Sequence, residues 1–255
     1  MKKRNIITLT AALAVLTFTS CVPDIDLAGN AWTNTGYYYE DGERVTTELT
    51  LVCTSTNSGT LFISERYSGD PMGSCFAMPF TYTWNDNQGT ATATLEFPED
   101  WKSGKASPKG TYTFSISMYY TKTEGLVISS SDIEQMLEIP CTSLGMVKKE
   151  HAKPTNMTGT RWVMEFDDTI DIPEGGTETT HYHYELHFIS AATATLALTS
   201  EDWNERWSIN YTYADGVGRT SINFDGENVN GGFYMPNENT MLFSDGMNGL
   251  YFVKQ

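Results

Sequence analysis

The chain has 255 residues, of which 40% are hydrophobic, 13% aromatic and 19% charged. Acidic residues outnumber basic residues by 32 to 16, which gives a formal net charge of -16 at pH 7. This excess of negative charge argues against nucleic acid and anionic lipid headgroups as partners, because their phosphates would be repelled.

The first 20 residues have the layout of an export signal. A basic start, Met1–Arg4, precedes an uncharged apolar run from Ile6 to Phe18, and two small polar residues lead to Cys21. The run has about 13 residues, whereas a helix needs about 20 to span a bilayer. We therefore expect a signal peptide over residues 1–20 that is removed on export, and no transmembrane segment.

A small residue directly before a cysteine, at the end of an apolar run, resembles the lipobox of bacterial lipoproteins. Boxes that end in Ser-Cys are similar to those of Bacteroidota lipoproteins. The resemblance implies that Cys21 carries acyl chains and anchors the protein at the outer membrane through a tether over residues 21–26. An ordinary secretory signal is the alternative, and the periplasmic and cell-surface faces are both left open. Removal of residues 1–20 leaves 13 basic and 32 acidic residues, a formal charge of -19.

Beyond the tether, short segments alternate β-branched or aromatic residues with polar ones, and Gly, Asp or Asn turn signals separate them. Such alternation is typical of antiparallel strands with one buried face. The spacing predicts about six to eight strands in each half of the chain, which suits an up-and-down barrel or a small sandwich. Ser130–Leu137 is the one segment with a helical pattern, capped by Ser131 or Asp132.

The two halves of the chain contain similar motifs in the same order, which indicates a tandem duplication. Each half opens with a glycine three residues before a tryptophan. The matching segments are Gly29–Trp32 with Gly159–Trp162, Glu48–Leu51 with Glu185–Phe188, Thr60–Ile63 with Thr195–Leu198, Phe80–Trp84 with Ile209–Tyr213, Leu95–Phe97 with Ile222–Phe224, Leu126–Ser129 with Met241–Ser244, and Met146–Lys148 with Phe252–Lys254.

This duplication predicts a first β domain at 27–149, a linker at 150–156 and a second β domain at 157–255. The fold class that we expect is therefore all-β, with two tandem small antiparallel barrels or sandwiches. Because the tether is short, the first domain would sit close to the membrane and its duplicate farther out.

Three further cysteines, Cys53, Cys75 and Cys141, lie in the first half of the chain. Export leads to a compartment that permits disulfides, so one pair is expected, either Cys53 with Cys75 or Cys75 with Cys141. The third thiol would be buried. The spacing does not favour a zinc site, since it contains neither CxxC nor CxxH.

A histidine-rich segment, His181–His187, is the most distinctive local feature of the second half. On a strand, His181, His183, Glu185 and His187 share one face, while the aromatic residues between them share the other. We expect the aromatic face to turn to the core and the histidines to face solvent. Two histidines at this spacing can meet one zinc or copper ion, but open surface histidines lack supporting groups. We therefore predict no metal site.

Many aromatic residues lie in or beside predicted loops, where packing does not obviously require them. They are Tyr37–Tyr39, Trp101, Tyr119, Tyr120, Trp203 and Trp207. Exposed rings would stack on sugars or form an apolar patch for a protein partner. The alternative is that they fill the ends of small barrels as core residues.

One segment, Asp168–Ile170, resembles the three-residue O-glycosylation acceptor of exported Bacteroidota proteins. It lies in a predicted acidic loop over Asp167–Gly176, where a glycan would be tolerated. The resemblance implies that Thr169 is the modified residue.

Motifs of the common catalytic machineries are absent from the sequence. It contains no GxSxG, HExxH or Walker-type glycine loop. Its carboxylate pairs, such as Glu99–Asp100 and Glu201–Asp202, are neighbours that would point to opposite faces of a strand. We therefore predict no catalytic residues, no cofactor and no enzymatic activity.

The Gly-x-x-Trp openings, the alternating strands and the closing strands that carry lysine resemble the lipocalin-like β-barrel lipoproteins of Bacteroidota. The resemblance covers nearly the whole mature chain, twice. It implies a lipid-anchored binding or accessory protein whose partner is a glycan, a small apolar ligand or an envelope protein, bound at a barrel mouth or between the domains. The alternatives are a structural subunit of a pilus-like or glycan-uptake assembly, and a hydrolase with an unrecognised site.

Overall fold

The computed structural model describes residues 24–97, 110–137, 139–171, 176–224 and 226–255. Strands β1–β8 are Asn30–Glu40, Glu43–Cys53, Ser58–Tyr67, Met72–Asn85, Gln88–Phe97, Gly110–Thr121, Gly125–Ser129 and Leu144–Lys149. Strands β9–β16 are Arg161–Asp171, Thr177–Phe188, Thr193–Thr199, Asn204–Ala214, Val217–Phe224, Glu227–Asn237, Thr240–Ser244 and Asn248–Lys254, and helix α1 is Ser131–Leu137. The signal peptide, Cys21 and Trp101 lie outside the described residues.

Each set of eight strands forms an antiparallel meander that closes on itself. Every strand pairs with the next in the chain, and β8 returns to β1 through the pairs from Ala31–Lys149 to Thr33–Val147. In the same way β16 returns to β9 through Val253–Val163 and Lys254–Trp162. The all-β prediction is confirmed, and the closed barrel is the form that occurs. Closure pairs the strands that would otherwise be sheet edges.

The repeated motifs of the two halves lie on equivalent strands of the two barrels. Trp32 and Trp162 lie near the starts of β1 and β9, and the remaining matched segments fall on the second, third, fourth, fifth, seventh and eighth strand of each barrel. Two residues before each opening glycine, Leu27 and Met157 are buried in the core of their own barrel. The duplicated pattern therefore corresponds to a duplicated strand order.

Large apolar side chains fill the interior of each barrel. In barrel 1 they include Trp32, Phe80 and Phe114, and in barrel 2 Trp162 and Phe233, all of which are buried. Alternation along each strand sends one face to this interior and the other to the outer wall. The cores are thus built from the chain's own side chains.

Helix α1 connects β7 to β8 at one end of barrel 1. Its Ile133 is fully buried, and Met136 and Leu137 pack against the same core. The Ser130 hydroxyl accepts a hydrogen bond from the Ile133 amide at 3.2 Å, as an N-cap does. The helical prediction for this segment is confirmed, but the cap is Ser130 and not the predicted Ser131 or Asp132, which are the first two residues of the helix.

The two barrels pack side by side through a third apolar cluster. Barrel 1 contributes outer-wall residues such as Phe62 and Ala77, and barrel 2 contributes Tyr234 and Leu242. Three residues of β4, from Met72 to Ser74, also pair with Asn248–Leu250 of β16, so one continuous sheet of 16 strands runs through both barrels. The segment between β8 and β9 therefore joins two barrels that are in direct contact. The position of each barrel relative to the membrane stays a prediction.

The cysteine arrangement differs from the predicted disulfide. Cys53, Cys75 and Cys141 are all free and buried. Cys53 and Cys141 lie in the core of barrel 1, whereas Cys75 lies on its outer wall in the contact with barrel 2. Both predicted pairs contained Cys75 and are wrong, because the barrel wall separates its side chain from the other two. Burial raises the pKa of the Cys53 thiol to about 12 and that of Cys141 to about 11.

Candidate functional site

A cavity of about 460 Å³ lies between the two barrels, beside the apolar contact that joins them. We call it the inter-barrel cleft. Its volume is in the usual range for sites that bind small molecules, about 300–1,000 Å³. Its lining from the first barrel and the segment after β8 comprises Thr33, Glu48, Arg66, Lys149 and Glu150, and its lining from the second barrel comprises Tyr234, Pro236, Thr240, Met241, Leu242, Tyr251, Phe252 and Val253.

Strand alternation places the polar residues of barrel 1 in the cleft. Leu49 and Ile63 belong to the core of this barrel. Their neighbours Glu48 and Ser64 must therefore lie on the outer wall, as Arg66 does farther along β3. The same rule turns Tyr251 of β16 outward, because Leu250 and Phe252 on either side of it lie in the core of barrel 2.

A chain of hydrogen bonds orients the Glu48 carboxylate. The Thr33 and Thr50 hydroxyls are 3.0 Å apart, and the Thr50 hydroxyl donates to Glu48 Oε1 at 3.2 Å. Both threonines are buried in the wall of barrel 1. Because Thr50 uses its proton on Glu48, its oxygen accepts the proton of Thr33. The two buried threonines therefore fix the orientation of the Glu48 carboxylate.

Beside Glu48, barrel 1 presents the Arg66 guanidinium group, and barrel 2 presents two tyrosines on the opposite side of the cleft. Arg66 Cζ lies 4.0 Å above the Tyr251 ring centroid, a cation–π contact. The Tyr251 hydroxyl donates to Ser64 Oγ at 3.2 Å. Burial raises the pKa of Tyr251 to about 12 and also raises that of Tyr234. Both phenols therefore stay neutral and can donate hydrogen bonds at physiological pH.

The charges around the cleft are balanced, although the chain as a whole is strongly acidic. Arg66 and Lys149 carry positive charge, and Glu48 and Glu150 carry negative charge. The lining therefore offers hydroxyl, carboxylate and cationic hydrogen-bonding groups beside an aromatic ring. This arrangement suits an uncharged ligand with many hydroxyl groups better than an ion of either sign.

The predicted histidine face points to solvent and is tied to the neighbouring strand. His181 Nδ1 bonds Asp167 Oδ1 at 2.7 Å, and His183 Nδ1 bonds Glu165 Oε1 at 3.0 Å. Glu185, the next residue on this face, accepts a hydrogen bond from Arg161 Nη1 of β9 at 2.6 Å. Among the described residues, no group of three or more His, Cys, Asp or Glu side chains is arranged to hold a metal ion.

Thr169 lies on a strand and not in the predicted acidic loop. Residues up to Asp171 belong to β9 and pair with β10, so the loop prediction for 167–171 is wrong. The Thr169 and Thr179 hydroxyls, for example, form a hydrogen bond of 3.0 Å between the two strands. Such bonds continue the hairpin into the segment whose acidic residues suggested a loop. Thr169 is exposed, and its glycosylation stays a prediction.

The aromatic residues that were singled out divide into exposed rings and rings at barrel ends. Tyr37, Tyr39 and Trp203 are exposed by 61%, 66% and 55%, so core packing does not explain them. Tyr120 makes an edge contact with the core tryptophan Trp32, as expected for a ring that fills a barrel. The two interpretations therefore apply to different members of the set.

Sequence reasoning missed the cleft, because its walls come from strands far apart in the chain. One local signal was present in β3, where Gly59–Ser64 is buried without interruption. A strand that is buried on both faces must pack against something on its outer side. In the structure, the outward-facing Phe62 of this buried run, Thr60–Ile63, lies in the contact between the barrels.

Comparison with protein-family profiles, with curated proteins and with solved structures finds no significant match to this chain. The kinship with lipocalin-like lipoproteins therefore stays a prediction. In the part of the chain that the structure describes, no helix has the length and apolar character needed to cross a membrane.

Proposed function

We propose that this protein is a lipid-anchored, non-enzymatic binding protein of the bacterial outer membrane, and that it binds a short neutral glycan in the inter-barrel cleft. The observation that carries the proposal is the cleft itself, in which Glu48, Arg66 and Tyr251 are held in fixed positions by the barrel walls. Aromatic rings pack on the apolar faces of sugars, and carboxylate and guanidinium groups bond their hydroxyls.

The packing of the barrels supports a site on the outside of each barrel. The resemblance to lipocalin-like lipoproteins implies a ligand at a barrel mouth or between the domains. The described strands fill the interior of each barrel with buried side chains, such as Phe114 in barrel 1 and Phe233 in barrel 2. A ligand of several hydroxyl groups would also lose its hydration in such an apolar interior.

Binding is tested by calorimetric titration of the purified protein with a panel of mono- and disaccharides, comparing Arg66→Met with the parent. Bonds to charged groups contribute about 1.5–3 kcal/mol, so the affinity for the best sugar should fall about tenfold or more. Arg44→Met is the matched control, because Arg44 also stacks on a tyrosine, 4.4 Å above Tyr37, but outside the cleft. Failure of every sugar to bind, or equal losses in both variants, would contradict the proposal.

The anchor is supported by the order of charged start, apolar run and Ser20-Cys21. Cys21→Ser should leave the protein in the soluble fraction and abolish incorporation of labelled fatty acid in cells. The sugar affinity of the released protein should be unchanged, since the cleft does not involve the tether. Continued labelling of the variant would exclude Cys21 as the acylated residue.

A further inference from the structure

One end of barrel 2 is lined by aromatic rings. Its strands alternate, and Met164, Leu186 and Ile209 face the core. Residues that lie an even number of positions from these core residues, toward this end of the barrel, share their face of the strand and are also directed inward. We call the set the aromatic mouth; it consists of Phe166, Tyr182, Tyr184, Trp207 and Phe224, each of which is partly exposed.

The rings of the aromatic mouth are ordered against one another. Phe166 stacks on Tyr182 with a centroid distance of 5.1 Å and on Tyr184 with a distance of 6.3 Å. Trp207 meets Phe224 edge to face at 5.3 Å. Phe166, Tyr184, Trp207 and Phe224 also pack on the core beneath them. Fixed rings of this kind bind without a large loss of side-chain freedom.

The equivalent end of barrel 1 is covered by a segment of its own chain. There, helix α1 joins the seventh strand to the eighth and places Ile133, Met136 and Leu137 against the core. In barrel 2 the same connection, between β15 and β16, is the short turn Asp245–Met247. No helix among the described residues takes the place of α1 over the aromatic mouth.

The charge around the aromatic mouth is negative. Glu205 shares the inward parity of Trp207, and Asp168 shares that of Phe166. Burial raises the pKa of Tyr184, and the negative charges of Asp245 and Glu205 raise it further. Among the described residues at the inward positions of β9–β16, the one basic residue is Lys254, which lies over Trp162 at the opposite end of the barrel. The barrel end therefore combines aromatic faces with carboxylates and no internal cation.

We infer that the aromatic mouth binds a small organic cation that carries an ammonium group, with choline-like quaternary ammonium compounds as the best-fitting class. The faces of aromatic rings attract cations, and cages of such rings are a common way to recognise quaternary ammonium groups. Glu205 and Asp245 add attraction that a neutral molecule of the same shape would not gain. This site is separate from the inter-barrel cleft and does not depend on the glycan proposal.

The test is a titration of the purified protein with choline and with its uncharged isostere, in which carbon replaces the ammonium nitrogen. Binding is followed by tryptophan fluorescence and by calorimetry. Choline is expected to bind, and the isostere should bind about tenfold more weakly. Comparable affinity for the isostere would show an apolar site and overturn the proposal, as would binding of methyl glycosides in place of choline or no binding of choline at millimolar concentration.

Variants then locate the site. Trp207→Leu should weaken choline binding about tenfold, and Glu205→Gln should weaken it about threefold at low salt, because it removes one attractive charge. Tyr39→Leu, at an exposed tyrosine of barrel 1, and Arg66→Met, in the cleft, should leave it unchanged. If Trp207→Leu does not fold, the choline affinities of Tyr182→Leu and Glu205→Gln, both expected to be weaker than that of the parent, replace it as the test. Unchanged binding in folded mouth variants would overturn the assignment.

Discussion

The tryptophans that open the two barrels differ in the hydrogen bonding of their indole groups. Trp162 Nε1 donates to the Thr160 hydroxyl at 3.1 Å, whereas the buried Trp32 Nε1 has no hydrogen-bond partner among the described residues. The residue equivalent to Thr160 in barrel 1 is Asn30, whose amide nitrogen donates to two nearby carbonyl oxygens instead. A single difference between the duplicated openings therefore leaves one indole group unpaired.

Thr160→Val tests this account at a residue whose shape is nearly preserved. The substitution removes the acceptor of Trp162 and a bond from the Thr160 hydroxyl to the Met157 carbonyl. An unpaired buried donor costs about 1–3 kcal/mol, so the free energy of unfolding in urea should fall by that amount. Thr158→Val, at an exposed threonine nearby, is the control and should change little. Equal stability of the two variants would show that the bond contributes nothing.

At the scale of strands, alternation predicted which faces turn inward, and it did so most clearly on β10. Tyr184, Leu186 and Phe188 turn to the core, and His181 and His183 turn to solvent. What alternation along a single strand does not give is how far a hairpin extends. The acidic residues of β9 looked like a loop, yet their bonds to β10 keep them in the sheet.

Glycines carried a second signal at the scale of strands that the sequence alone did not resolve. A side chain at Gly249 would lie 2.8 Å from Cys75 Cβ, and one at Gly73 would lie 2.2 Å from the Glu65 carbonyl oxygen. Glycine inside a strand often marks such a close approach of another backbone. Gly249 allows β16 to approach β4, and Gly73 allows β4 to approach β3, but these partners become known only from the fold.

At the scale of the whole molecule, the sequence predicted the duplicated barrels but not their packing. The matched segments around Trp32 and Trp162 are local patterns, and they define equivalent strands in both halves. The contact between the barrels depends on outer-wall residues, such as Phe62 and Tyr234, whose rings are 5.4 Å apart although they are far apart in the chain. The cleft exists only because of this packing, so its residues could not be assigned in advance.

The most direct test of the cleft as the ligand site is amide hydrogen exchange with and without the sugar that binds best. We expect slower exchange in Glu48–Arg66 and in Tyr234–Val253, the segments that form its two walls, and no change in β9 or β10. Slower exchange confined to β9, β10 and β12, around the aromatic mouth, would contradict the account and move the sugar to the end of barrel 2.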